Sequence, residues 1–250
     1  MALPGYYHSL KPFREFFRQG TPVLTYHKLG PRPRGVRLKG LYVGEKLFVR
    51  QLQELHAAGF ITPPFGEIVS SPPGSAPCIA LTFDDGFCNV LQHGLEPLAR
   101  FKFRAIEFLV ADLLGKTNEW EQRQGEVRAP LMDVAQVRDW LAAGHEIGAH
   151  TLTHPHLTRI PLAAAREEIF AGKKKLEDLF GVPIEHFCYP YGDWNEAVGR
   201  LVAEAGYRTA CTTVFGVNTA AESPLALKRI TARYNSRNLK AIWSRFLARP

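Results

Sequence analysis

The chain has 250 residues, 46% of them hydrophobic, with 18 prolines and a formal net charge of +7. That is enough apolar sequence for one sizeable core, which excludes a disordered chain, and no apolar run approaches the ~18 residues of a membrane span, so stable membrane insertion is not expected. The charge is spread out, and its only tight cluster, Lys173-Lys174-Lys175, falls in an amphipathic helix and reads as a solvated face, so no nucleic-acid partner is expected.

Residues 1–20 read as an irregular N-terminal arm, rich in aromatic and basic side chains, with Phe13, Phe16 and Phe17 placed to dock on the rest. The arm has no apolar stretch of the ~7–15 residues that a signal peptide needs. The four cysteines (Cys78, Cys88, Cys188, Cys211) show no CxxC pairing. Both features point to a reducing compartment, and a cytoplasmic location is the expectation, with a secreted or envelope-associated one as its alternative. Residues 21–250 read as one domain. Its first strand, Pro22 to Tyr26, ends in His27, and a loop rich in Gly, Pro and Arg follows over 28–44. Phe48, Leu52 and Leu55 mark a helix stopped by Gly59, and after a second loop a strand climbs from Cys78 to Phe83 into Asp84-Asp85-Gly86. The helix over 88–101 contains Pro97 and is expected to be kinked or short. A buried-type strand spans Arg104 to Val110, and residues 115–131, with Trp120, form a long excursion. Asp133 caps a helix closed by Gly144, and the strand from His145 to Ala149 ends in His150. A long helix covers 162–180. The strand from Glu185 to Tyr189 then leads into Pro190-Tyr191-Gly192, and a further helix carries Val198, Leu201 and Val202. Two strands are expected near 207–212 and 228–231, then a last helix capped by Ser236 with Leu239, Ile242, Trp243 and Phe246. Strands and helices thus alternate about seven times, the pattern of a parallel α/β domain. The length suits a closed or nearly closed β/α barrel. The competing open, doubly wound sheet lacks a GxGxxG or P-loop after its first strand.

His27, Asp84-Asp85, His150 and Tyr191 all come at strand ends, and the strand C-termini of a barrel open on one face. Asp-Gly alone is also an ordinary turn signal. His150 and His154 have the spacing of two imidazoles on one face of a helical turn, able to hold one ion, although nine histidines make one such pair weak on its own. With one carboxylate they complete a His₂Asp set that leaves a position open, as catalytic zinc requires. His156 reads as flanking and structural.

Thr82-Phe83-Asp84-Asp85-Gly86, His150-Thr151-Leu152-Thr153-His154 and Tyr189-Pro190-Tyr191-Gly192 together resemble the first three motifs of the polysaccharide deacetylase family, the fourth carbohydrate esterase family. The resemblance runs in order from about Val23 to Ile230. It implies a distorted (β/α)7 barrel, an α/β fold in a single domain, acting on an N-acetylated glycan or glycoconjugate. It implies a divalent metal, zinc by preference, on Asp85, His150 and His154, with Asp84 as general base and the Tyr191 backbone N–H in the oxyanion hole. The sequence departs from the family pattern twice. Cys188 stands where many members have an arginine that orients the base, and no histidine follows His186 to act as the late general acid. His27, at the end of the first strand, is the expected replacement acid, with a structural role as its alternative. Arg229 is the expected partner of Asp84, provided that strand alternation points it inward. Trp194 and Trp120 are both placed to stack on a sugar or to pack internally. Two other readings stay open: a cytoplasmic amidase or deformylase acting on a lipid-linked or small-molecule amide, and a carbohydrate-binding pseudoenzyme.

Overall fold

The computed structural model describes residues 3–68, 76–122 and 125–234. The expected last helix, with Ser236, Leu239, Ile242, Trp243 and Phe246, lies outside them. In chain order the elements are α1 (Arg14–Phe17), β1 (Val23–Tyr26), β2 (Lys28–Leu29), β3 (Tyr42–Val43), α2 (Glu45–Ala57), β4 (Ala80–Asp85), α3 (Cys88–Arg100), β5 (Ile106–Leu109), α4 (Glu119–Gln122), α5 (Val134–Ala142), β6 (Glu146–Ala149), α6 (Leu162–Phe180), β7 (His186–Cys188), α7 (Glu196–Glu204), β8 (Thr209–Phe215) and β9 (Leu227–Thr231).

Seven parallel strands close into a barrel in the order β1-β4-β5-β6-β7-β8-β9, with β9 returning to β1. Helices α2, α3, α5, α6 and α7 lie in the crossovers between strands, which is what parallel neighbours require. This is the distorted (β/α)7 barrel expected of the sequence. The register between β8 and β9 shifts between Cys211 and Phe215.

Alternation along the strands divides the side chains between two cores. Val23, Ala80, Ile106, Phe108, Cys188, Cys211 and Leu227 form one cluster with Phe65 and Ile68. A larger cluster, including Leu24, Leu81, Phe83, Leu109 and Phe187, packs the helices onto the outside of the strands. Gly148 of β6 is required by the first: a Cβ there would lie 2.6 Å from the Phe108 ring and 2.8 Å from the His186 carbonyl. Asp84 is spaced by even steps from Ala80, and Arg229 from Leu227, so both point into the barrel above this small core.

Several local expectations are corrected. The stretch 28–44 is not purely a loop, because β2 and β3 pair within it as a small parallel sheet. The arm, by contrast, docks as expected: Phe13 and Phe17 are buried against Tyr7, and Phe16 stacks on Phe215 at 5.7 Å. Helix α3 is not cut short by Pro97. The proline falls in the last turn, where one hydrogen bond is forfeited and its own carbonyl still accepts from Phe101 N at 3.2 Å. Asp84 and Asp85 are the last two residues of β4 rather than the turn after it. No helix among the described residues is long and apolar enough to cross a membrane.

Candidate metal and proton-transfer site

One cleft of about 430 Å³ opens among the strand ends, and its lining includes His27, Asp84, Asp85, His150, His154, Tyr191 and Arg229. The backbone here is unusual. Of the five non-glycine residues with positive φ among the described residues, Asp85 (81°), Thr151 (69°), His154 (68°) and Tyr191 (61°) all belong to this rim. Such conformations cost free energy and persist where surrounding contacts over-determine them, as at active sites. The contacts are visible. Gly86 N donates to Glu107 Oε1 at 2.9 Å, fixing the turn after Asp85. Glu168 of α6 accepts from Leu152 N and Thr153 N, both at 2.9 Å, and from the Thr153 hydroxyl at 2.6 Å.

The His150–His154 segment is therefore not the helical turn that its spacing suggested. It is an irregular loop, and the left-handed residues Thr151 and His154 swing the second imidazole back toward the first. The result still brings the two rings to one carboxylate oxygen. Asp85 Oδ1 lies 3.5 Å from His150 Nε2 and 3.3 Å from His154 Nε2. Burial pushes the Asp85 carboxyl up, but hydrogen bonds from His150 and His154 hold it well below the usual carboxylate range.

This donor set fits a divalent metal. Three buried ligand atoms, two imidazole nitrogens and a carboxylate oxygen, lie within 4.8 Å of one another. His150 Nδ1 donates to the Cys188 carbonyl at 2.7 Å, which turns Nε2 toward the site in the way outer partners of metal ligands do. His154 is clamped between rings, with Trp120 stacked at 4.4 Å and Tyr191 edge-on at 4.6 Å. A second cluster, Asp84 with His150 and Cys188, has similar spacing but a guanidinium in its midst, which disfavours a cation.

That guanidinium is Arg229. It grips Asp84 with two hydrogen bonds of 2.8 Å, Nη1 to Oδ1 and Nη2 to Oδ2. Nη1 also reaches the Thr82 hydroxyl at 3.1 Å, and Nε the Thr212 carbonyl at 2.8 Å. β4 and β9 both flank β1, so the pair spans the mouth of the barrel over that strand. Burial raises the Asp84 carboxyl, and the charge and hydrogen bonds of Arg229 outweigh it, so the net shift is downward. His27 follows β1 directly, and its Nε2 lies 3.8 Å from Asp84 Oδ2. Burial lowers its pKa, partly offset by the charges of Asp84 and Asp85, which leaves a neutral imidazole near pH 7.

Two expected residues part company here. Trp120 lines the cleft, whereas Trp194 does not. Trp194 folds onto Tyr189 at 5.9 Å and over Gly199 of α7, beside a separate depression. It packs against α7, where Asn195 caps the helix immediately after it and Gly199 leaves room for its ring, and the residue remains 38% exposed. His156, read as flanking, itself lines the cleft; it stacks on the Tyr191 ring at 3.8 Å, and its Nδ1 lies 3.6 Å from Asp193.

Several site-building residues escaped the sequence reading. Buried Lys28 pairs with Glu121 at 3.0 Å, and Glu126 accepts from Arg37 N at 3.0 Å and Leu38 N at 2.6 Å. These contacts bind the 28–44 and 115–131 excursions into one wall. Their only local signal is the Asn118-x-x-Glu121 spacing, across which Asn118 Nδ2 donates to the same carboxylate.

Residues 71–210 match the family model described as polysaccharide deacetylase. His27 and Arg229 lie outside that stretch. The Bacillus subtilis (strain 168) protein YxkH is 24% identical over 213 residues, 84% of this chain and 70% of that protein. The peptidoglycan-N-acetylglucosamine deacetylase of Bacillus cereus is 30% identical over 147 residues, 58% of this chain and 61% of that enzyme. Among solved structures, the Streptococcus pyogenes deacetylase PplD in complex with acetate superposes with a TM-score of 0.75 at 21% identity, covering 90% of this chain and 97% of that one.

Proposed function

The chain belongs to the polysaccharide deacetylase family, and from that premise we propose that it is a metal-dependent hydrolase removing N-acetyl groups from amino sugars of an oligo- or polysaccharide. The observation that carries this reading is the placement of the Arg229-clamped Asp84 carboxylate in one cleft with the buried Asp85–His150–His154 triad. Asp85, His150 and His154 would hold a divalent ion, zinc by its donor set, which supplies Lewis-acid chemistry at the acetamide carbonyl and at the attacking water.

The chain's own residues do the rest. Asp84 is kept ionised by Arg229 and accepts a proton from the attacking water. Arg229 holds both carboxylate oxygens in one orientation, at some expense of basicity. The Tyr191 backbone N–H, presented by its left-handed conformation, donates to the oxyanion as the carbonyl becomes tetrahedral. His27, neutral and 3.8 Å from Asp84, receives that proton and delivers it to the amine nitrogen as the C–N bond breaks. Acetate and a free amino sugar are the products. Trp120 and Tyr191, lining the cleft, offer ring faces to the sugar.

The test is acetate release from N-acetylglucosamine and its oligomers of increasing length. The reading expects release from oligomers. A folded, metal-loaded protein that frees acetate from no N-acetylated sugar of any length would overturn it.

A further inference from the structure

We propose that Arg233 forms an anion subsite in this cleft, so that the preferred substrate is an N-acetylhexosamine bearing a carboxylate or phosphate next to its acetamido carbon; the proposal rests on the deacetylase reading above. Arg233 follows β9 by two residues, and its side chain lines the cleft with His27, Leu38, Leu41 and Thr231. Its backbone is pinned: Arg233 N donates to the Tyr7 carbonyl and Ala232 N to the Thr25 carbonyl, both at 2.8 Å. Its guanidinium rests over Gly40, where a Cβ would stand 2.9 Å from Cζ and 3.1 Å from Nε and Nη1. Arg233 is exposed at the rim of the cleft, and its guanidinium lies where the glycine at position 40 leaves room for it.

The other cleft charges are committed. Arg229 is paired with Asp84, and Glu121 with Lys28, while Asp85 faces the two imidazoles. No ion pair or hydrogen bond of the Arg233 guanidinium occurs among the described residues. The remaining residues of the chain, 1–2, 69–75, 123–124 and 235–250, contain no aspartate or glutamate at all. A cation therefore faces the cleft with no side-chain carboxylate available to neutralise it. A divalent ion on the triad would add to this positive charge, so a neutral glycan leaves the cleft unbalanced and an anionic one balances it.

The register says where the anion sits. Thr25 pairs with Thr231 across β1 and β9, and His27 and Arg233, each two residues further along its strand's path, both line the cleft. His27 serves the departing amine on C2 of the hexosamine. The nearest substituents to that amine are those on C1 and C3, so the acidic group within reach of the guanidinium is carried by one of these two carbons. A planar fork suits both carboxylate and phosphate, through two parallel hydrogen bonds.

The experiment compares kcat/KM of the metal-loaded full chain on three substrates: the methyl glycoside of N-acetylglucosamine, N-acetylglucosamine 1-phosphate, and the 3-O-carboxymethyl ether of the methyl glycoside. The wild type should favour at least one charged substrate over the neutral one by roughly tenfold or more, the scale of a charge-assisted hydrogen bond. Whichever charged substrate wins identifies the anion and its carbon. Arg233→Gln should bring the ratio near one, and Arg233→Glu should bring it below one. Gly40→Ala, which pushes the guanidinium aside without removing it, should lower the ratio partway, with thermal melting confirming that each variant folds. No charge preference in the wild type, or a preference that survives Arg233→Gln and so belongs to the metal, would overturn the subsite. If no substrate is deacetylated, the functional reading fails separately. Equilibrium binding of N-acetylglucosamine 1-phosphate then decides the subsite alone, since a Kd unchanged by Arg233→Gln refutes it.

Discussion

Arg229→Met probes the proton-transfer half of the site. In the wild type the guanidinium makes two 2.8 Å bonds to Asp84 and further bonds to the Thr82 hydroxyl and Thr212 carbonyl, with both charges almost fully buried. Methionine keeps most of the volume and removes the charge, which leaves a carboxylate buried with His27 at 3.8 Å and the Cys188 thiol at 3.6 Å as its polar neighbours. Breaking a buried pair in this way destabilises by about 3–5 kcal/mol, a large share of a typical domain's ~5–15 kcal/mol. The sign with pH is fixed. In the wild type the Asp84 pKa is depressed, so its contribution is present above the unfolded value near ~3.9 and is lost as pH falls through the folded value. In the variant burial acts unopposed by Arg229 and raises the pKa, so the folded state is relieved as pH falls through that raised value. The gap between the proteins should be widest at neutral pH and shrink toward acid. Urea denaturation of the metal-free proteins across pH measures it, and the acid limb of kcat/KM should move to higher pH in the variant. A loss under about 1 kcal/mol with an unmoved acid limb would refute the assigned role.

His27→Ala should lower turnover by roughly 10²-fold or more while metal content is retained, and near-normal turnover would remove His27 as the proton donor. Glu107 is raised well above the usual carboxylate range, by burial first and then by the charges of Asp84 and Asp85. An acid with a raised folded pKa makes the folded state progressively less stable as pH climbs from the unfolded value near ~4.3 toward the raised one. Glu107→Gln, which keeps an oxygen for Gly86 N, should therefore gain on the wild type over that range in pH-dependent denaturation and show no advantage near pH 3. Glu168→Ala removes three hydrogen bonds from the loop that carries His154, and should weaken metal affinity by about 10–100-fold in a competitive chelator titration.

The barrel and most of the site were legible because their signals are short-range. A buried strand that ends in a polar residue is visible in a few letters, and the parallel topology converges four such ends. Arg229 could be placed by alternation from Leu227, since a strand's period of two leaves only the choice of face. The His150–His154 spacing anticipated that the two imidazoles converge, but through a different geometry. Two left-handed residues, Thr151 and His154, replace the helical turn, and their stability comes from Glu168, fourteen residues beyond His154 in α6. The wall made by 28–44 and 115–131 was illegible, because Lys28–Glu121 and Glu126 to Arg37 and Leu38 join positions about ninety residues apart with no periodic pattern. Trp194 illustrates the opposite limit. Its neighbourhood to Tyr191 in sequence suggested the cleft, and a glycine five residues on decided for the helix instead.

The most direct test of the central claim is acetate release from an N-acetylglucosamine oligomer by the wild type, by the same protein stripped with a chelator and then reloaded with zinc, and by Asp84→Asn. The account predicts release by the wild type, its loss on stripping, its return with zinc, and its near-abolition in Asp84→Asn with the metal still bound. Release that persists without metal, or in Asp84→Asn at wild-type rate, would contradict it.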